Sequence, residues 1–142
     1  MSLRQCLGAL PCAAAALMLT LAACGGHAAA PTRVVQITER DFAIRAPHEL
    51  KAGLVRFVVT NHGPVSHELI VVRARDDRLP LRQDGFTVDE EALASRTLGA
   101  LEPAGPGSRR ELDVRLSAGR YVLICNMAGH YMSGMSSPLL VR

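Results

Sequence analysis

Hydrophobic and polar residues alternate along several short segments of the chain, and a spacing of two is typical of β-strands with one buried face. The pattern predicts strands at 33–39, 42–45, 54–60, 109–116 and 137–141, and apolar runs predict two more at 65–72 and 121–125. Turn residues such as Gly53, Pro64 and Gly119 separate these segments. The expected fold is therefore all-β, a Greek-key β-sandwich.

The segment 73–109 does not share this regularity. It contains turn-forming pairs such as Asp84-Gly85 and a run rich in proline and glycine at 103–107, so we expect it to cross outside the sheet. Thr87 and Glu90 match a capping box, which predicts a short helix of two to three turns over 91–98 within this long crossover. We interpret that helix as a surface cover.

The start of the chain has a different character. Arg4 precedes an Ala/Leu-rich stretch at 7–21, an order typical of a bacterial export signal. A transmembrane anchor fits less well, because the stretch is short for a membrane span and contains Pro11. We therefore predict a signal peptide at 1–23.

The residues after the signal resemble a lipoprotein processing box. Leu-Ala-Ala-Cys ends at Cys24, which would become the lipid-modified first residue and anchor the protein to a membrane. Residues 24–32 would then form a flexible lipidated leash and 33–142 the folded domain. The alternative is ordinary cleavage after Ala30, which would give a soluble periplasmic protein.

Charge excludes little beyond nucleic acid. The formal net charge is only +3, which is too small to argue for a nucleic-acid partner or a strongly acidic one. We expect a monomer.

The cysteines are more informative. Cys6 and Cys12 leave with the signal and Cys24 is acylated, so Cys125 stands alone in an oxidising compartment where structural cysteines normally pair. A single thiol in that compartment should be either reactive or bound to a metal.

Cys125 opens a Cys-x4-His-x4-Met run with His130 and Met135. A thiolate, an imidazole and a thioether suit copper, whereas zinc has little use for a thioether. A blue-copper site also needs a second imidazole. The best candidate is His67, which lies in the predicted strand 65–72.

With these four residues the chain resembles the cupredoxins, the single-copper electron-transfer family that includes plastocyanin and azurin. The resemblance extends over about 34–142 and includes Asp41-Phe42, Pro47, Gly53, Asn61 and His67-Glu68 in the order typical of bacterial members. It implies one copper ion that cycles between Cu(I) and Cu(II), with His67, Cys125, His130 and Met135 as ligands. The loop length is similar to the rusticyanin and sulfocyanin type. Glu68 departs from the pattern, because many members carry an asparagine that ties the two ligand-bearing segments together.

The function that the resemblance implies is single-electron transfer between redox proteins, on the periplasmic side of a bacterial membrane, rather than catalysis. The copper enzymes of related architecture need further copper sites and domains. The alternative is copper binding and delivery, in which Met127, Met132 and Met135 would hold Cu(I). We expect His27, His48 and His62 to be solvent-exposed and not to be ligands.

Overall fold

The computed structural model describes residues 32–74 and 78–142. The strands in these ranges are β1 (Arg33–Arg40), β2 (Ala43–Arg45), β3 (Glu49–Leu50), β4 (Gly53–Asn61), β5 (His67–Arg73), β6 (Thr97–Ala104), β7 (Arg109–Leu116), β8 (Gly119–Ile124) and β9 (Ser136–Val141). A one-turn helix, α1 (Glu90–Leu93), leads into a 3-10 turn at Ala94–Arg96. The predicted signal at 1–23, the predicted lipidation site Cys24 and nearly all of the predicted leash lie outside the described residues.

The strands form two sheets that pack face to face. One has the order β2-β1-β4-β7 and the other the order β3-β9-β8-β5-β6. Most neighbours are antiparallel, while β1 with β4 and β3 with β9 are parallel. This arrangement confirms the predicted all-β sandwich.

The alternating residues of β4 show why this segment forms a sandwich strand. Val55, Phe57 and Val59 are fully buried and contribute to the core between the sheets, whereas Arg56 and Thr60 are partly exposed. Because side chains along a strand point to opposite faces in turn, alternation places the apolar set inside.

Strand β5 is buried on both faces, which explains its continuous apolar run. Leu69 and Val71 belong to the core between the sheets. Ile70 and Val72 belong to a second cluster, which includes Val88 and other apolar residues of the crossover. The crossover therefore covers the outer face of the larger sheet, as predicted for its helical part.

The prediction that 73–109 lies outside the sheet is wrong for its second half. Strand β6 pairs antiparallel with β5 and forms the edge of the larger sheet, with Leu69 opposite Leu101 and shifts of register on either side. Its residues are half-buried or exposed and include Gly99 and Pro103. An edge strand tolerates such residues, so the segment needs no clear alternation.

The predicted helix over 91–98 is wrong in length and in its cap. The helix ends at Leu93, whose side chain is buried, and the chain enters β6 at Thr97. The cap is Asp89, whose side chain accepts the N–H of Ala92 at 3.1 Å, while the hydroxyl of Thr87 donates to Asp84. Within the described ranges, no helix is long and apolar enough to cross a membrane.

Candidate metal centre

The four predicted ligands lie at one end of the sandwich. His67 is the first residue of β5, and Cys125 directly follows β8, the neighbouring strand in the same sheet. His130 lies in the connection between β8 and β9, and Met135 directly precedes β9. Two adjacent strands and the loop that follows one of them therefore bring together residues that are far apart in the sequence.

Three of these residues form a compact triangle of donor atoms. The Nδ1 atoms of His67 and His130 lie 3.3 Å apart, and the Sγ atom of Cys125 lies 3.9 and 3.4 Å from them, respectively. A point equidistant from the three atoms lies about 2.1 Å from each, close to ordinary metal–nitrogen bonds of about 2.0–2.1 Å. These three donor atoms could therefore hold a metal ion between them.

Met135 supplies the thioether beside this triangle. Its side chain is fully buried and packs in the core between the sheets, as Cys125 does. The other two methionines of the loop differ from it, because Met127 is half-buried and Met132 is 53% exposed. The His–Cys–His–Met cluster that results is typical of a blue-copper site.

The loop 125–135 is held by its own backbone hydrogen bonds. The N–H of Cys125 donates to the carbonyl of Met135, and the N–H of Met135 donates to the carbonyl of His130, at 3.1 and 3.0 Å. Gly129 and Gly134 have φ values of 79° and 94°, in the left-handed region that favours glycine. The loop therefore presents His130 from a series of tight turns rather than from a flexible excursion.

The surroundings of the cluster favour the metal-binding form of His130 but not that of Cys125. Burial, together with the neighbouring His67, lowers the pKa of His130, which favours the neutral imidazole. Burial raises the pKa of the Cys125 thiol, although backbone hydrogen bonds from Glu68 and Met127 act in the opposite direction. A bound cation would have to displace the thiol proton, so metal affinity should fall at low pH.

The β1–β2 turn contacts both histidines. The Oδ1 atom of Asp41 lies 2.8 Å from Nε2 of His67. The ring of Phe42 meets the ring of His130 edge to face, with 5.1 Å between the ring centroids, and Phe42 is 46% exposed. Their order along the chain indicates no role for them, because the contact spans 26 residues for one pair and 88 for the other.

The turn before β5 also packs against the site. Asn61 is fully buried, and its side-chain amide donates to the carbonyls of Val65 and Ala104 at 2.8 and 3.0 Å. Its side-chain oxygen accepts the N–H of Gly63, whose backbone packs against Asp41 and His67. Asn61 therefore fixes the chain where it enters the strand that carries His67.

Several solved structures share this architecture. Auracyanin from Roseiflexus castenholzii matches with a TM-score of 0.59 and 21% identity over 80% of this chain and 98% of that one. Auracyanin A, a blue copper protein from Chloroflexus aurantiacus, matches with a TM-score of 0.60 and 20% identity over 79% of this chain and all of that one. Rusticyanin from Thiobacillus ferrooxidans matches with a TM-score of 0.57 and 11% identity over 79% of each chain. The chain has the cupredoxin fold.

Sequence comparison alone adds nothing to this assignment. No protein-family model matches the chain, and no curated protein matches it significantly. The cupredoxin fold is therefore recognised from the structure.

Glu68, the residue after His67, lies beside the start of the loop 125–135. Its carboxylate accepts the backbone N–H of Asn126, the residue after Cys125. Burial and the nearby Glu90 raise the pKa of Glu68, while this hydrogen bond lowers it. The cluster of donor atoms consists of His67, Cys125 and His130 and does not include Glu68.

Asn126 is a residue whose role the sequence did not reveal. Its side-chain oxygen accepts the N–H of Val88, and its amide donates to the carbonyl of Val88 at 3.1 Å and to the carboxylate of Glu90 at 2.7 Å. The start of the metal-site loop is thus tied to the crossover segment that covers the larger sheet.

The remaining histidines behave as expected where they are described. His48 and His62 are exposed and lie outside the donor cluster, and His27 falls outside the described residues.

A buried pair that the sequence did not predict lies near the end of β1, where the carboxylate of Glu39 accepts a hydrogen bond from the guanidinium of Arg110 in β7. Burial raises the pKa of Glu39 to about 7 in spite of the attraction of Arg110.

Proposed function

We propose that this protein is a type 1 blue-copper electron carrier, with His67, Cys125, His130 and Met135 as the copper ligands. The observation that carries the proposal is the triangle of two Nδ1 atoms and one Sγ atom with sides of 3.3–3.9 Å. Such a set of two imidazoles and a thiolate, with a thioether nearby, is the donor set of blue-copper sites. The reaction is transfer of one electron, without proton or group transfer and without catalysis.

Copper, when bound, supplies a one-electron couple between Cu(I) and Cu(II). The protein's part is to keep the ligands still, because a donor set that does not rearrange lowers the cost of each transfer. His67 and Cys125 are fully buried at the ends of the paired strands β5 and β8. Backbone hydrogen bonds hold the loop that carries His130. His130 is only partly buried and contacts the exposed ring of Phe42, which favours this edge as the route for electrons.

The spectrum of the copper-loaded protein tests the proposal. We expect an intense blue Cu(II) form that a reductant bleaches and an oxidant restores. The variant Cys125→Ser should lose the blue colour, because the colour arises from the copper–thiolate bond. The matched control, Met132→Leu, changes an exposed methionine of the same loop and should keep it. A wild-type protein that binds a full equivalent of copper and stays colourless would contradict the proposal.

Copper delivery is the alternative, and the loop methionines distinguish it. Delivery would use Met127, Met132 and Met135 together, yet these side chains range from fully buried to more than half exposed. Their different burial favours separate roles. Repeated reduction and oxidation without loss of copper supports the carrier, whereas release of Cu(I) to a chelator that depends on Met132 supports delivery.

We extend the proposal to the cell envelope. The export signal and the Leu-Ala-Ala-Cys box support a lipoprotein anchored through Cys24 on the periplasmic side of a bacterial membrane, where it would exchange electrons with redox proteins. Mass spectrometry of the mature protein tests the anchor. A lipid-modified Cys24 at the N-terminus is the expected result, and an unmodified chain that begins at Pro31 would contradict it in favour of a soluble periplasmic protein.

A further inference from the structure

The β1–β2 turn carries a carboxylate to the buried ring of His67. The Oδ1 atom of Asp41 lies 2.8 Å from Nε2 of His67, and the side chain of His67 is not exposed while that of Asp41 is 25% exposed. The Nδ1 atom of the same ring faces the Sγ atom of Cys125 and Nδ1 of His130. The two ring nitrogens therefore have different partners.

This difference determines which nitrogen carries the proton. A neutral imidazole has one N–H donor and one lone pair, and a carboxylate oxygen can only accept. Nε2 of His67 must then donate to Asp41, which leaves the lone pair of Nδ1 directed at the other two donors. The ring is held in the tautomer that a metal ligand needs before any ion binds.

The backbone of Gly63 packs closely against both side chains of this contact. A Cβ atom at position 63 would lie 2.7 Å from both Oδ1 of Asp41 and Nε2 of His67, closer than real contacts allow. Asn61 in turn holds the N–H of Gly63 at 2.8 Å. The carboxylate and the imidazole are therefore packed together by a turn that is itself hydrogen-bonded.

The second histidine has a different environment. Within the described part of the chain, Nε2 of His130 has no hydrogen-bond partner, and its ring packs instead against Phe42. Only one of the two imidazoles is therefore bonded to a charged group. The asymmetry makes His67 the imidazole on which a directly hydrogen-bonded carboxylate can act.

We propose that Asp41 is a positioning residue that selects the metal-binding tautomer of His67 and, through that ring, favours Cu(II) over Cu(I). The inference rests on the copper-carrier role proposed above. A carboxylate that accepts the outer N–H of a ligating histidine increases the basicity of the ring. A more basic ligand stabilises the more highly charged ion, so the wild-type reduction potential should be lower than without the carboxylate.

The variant Asp41→Asn separates charge from geometry, because asparagine keeps an acceptor oxygen and loses the charge. We expect its preference for Cu(II) over Cu(I) to fall about tenfold, which corresponds to a rise of about 59 mV in the one-electron reduction potential measured by voltammetry. The variant Asp41→Ala loses the acceptor as well. In its metal-free form, nitrogen NMR should show both tautomers of His67, and its Cu(II) affinity should fall about 10–100-fold.

The variant Asp113→Asn is the matched control, because it removes one carboxylate from an exposed pair with Arg56 on the smaller sheet. Its reduction potential should stay at the wild-type value. A potential of Asp41→Asn that shifts no more than this control, or a single unchanged His67 tautomer in Asp41→Ala, would overturn the inference. Absence of blue copper in the wild-type protein would contradict the carrier role instead, since the tautomer is measured without metal.

Discussion

Glu68 shows how a charged side chain serves as a structural link beside a metal site. Its backbone N–H hydrogen-bonds to the sulfur of Cys125, and its carboxylate accepts the backbone N–H of Asn126. One residue thus binds both the ligand and the residue after it. The carboxylate also adds to the raised pKa of the Cys125 thiol, although burial is the larger cause.

Gly63 illustrates a residue that is needed for its lack of a side chain. In Gly63→Ala the new methyl group would lie 2.7 Å from Asp41 and His67, and relieving such overpacking typically costs about 1–3 kcal/mol. We expect a loss of unfolding free energy of this size, measured by denaturant titration of the metal-free protein.

The control for this prediction is Gly105→Ala. The nearest atom to its new methyl group would be Oγ of Ser66 at 3.9 Å, an ordinary contact. Equal stabilities of the two variants would show that the turn at residue 63 moves away without cost.

At the scale of elements, the sequence predicts best where one face of a strand is buried. The alternation in β4 and β7 predicted both strands to within one residue, because Val55, Phe57 and Val114 belong to the core whereas Arg56 and Asp113 do not. Strand β6 was missed because an edge strand with Gly99 and Pro103 has neither face deeply buried. Its partner β5 fixes its position, and that information is not local.

The candidate site shows the same contrast between local and non-local information. Its donor residues were predictable, since Cys125, His130 and Met135 fall within one loop and carry their chemistry in their side chains. The residues that support them were not, because Asp41 and Asn126 become meaningful only when distant strands and the crossover meet.

The link between the crossover and the metal-site loop should matter for stability. Asn126→Ala removes the partners of the buried N–H and carbonyl of Val88, and leaving a buried polar group without a partner costs about 1–3 kcal/mol. We expect a loss at the upper end of this range in thermal or denaturant unfolding. The cap variant Asp89→Ala should cost only about 1 kcal/mol. A larger loss for Asp89→Ala would contradict the importance of this link.

At the scale of the whole molecule, the pair of Glu39 and Arg110 joins β1 and β7, the two strands that flank β4 in the smaller sheet. Arg110 lowers the pKa of Glu39, but burial outweighs it and raises the pKa from 4.5 to about 7. The second oxygen of Glu39 has no hydrogen-bond partner among the described residues, which is consistent with a carboxylate that is costly to ionise.

This raised pKa predicts how stability depends on pH. Between about 4.5 and 7 the unfolded chain has lost the Glu39 proton and the folded chain retains it, so folding stability falls as pH rises through this window and is constant above it. Relative to the wild-type protein, metal-free Glu39→Gln should therefore gain up to about 3 kcal/mol from pH 4.5 to pH 8.

Denaturant titrations across this pH range measure the difference. The variant Glu111→Gln, which changes an exposed glutamate of β7, should run parallel to the wild-type curve. A Glu39→Gln curve that also runs parallel would show that Glu39 titrates normally in the fold.

The closed base of the metal-site loop has an evolutionary consequence. Ile124 and Ser136 are paired in the β8–β9 ladder, and Cys125 and Met135 continue the contact with a backbone hydrogen bond. The base of the loop is closed by this pairing, so insertions or deletions between His130 and Met135 would leave the two strands in place. The spacing of His130 and Met135 can therefore diversify among descendants while the sandwich stays the same, and metal properties can evolve separately from folding.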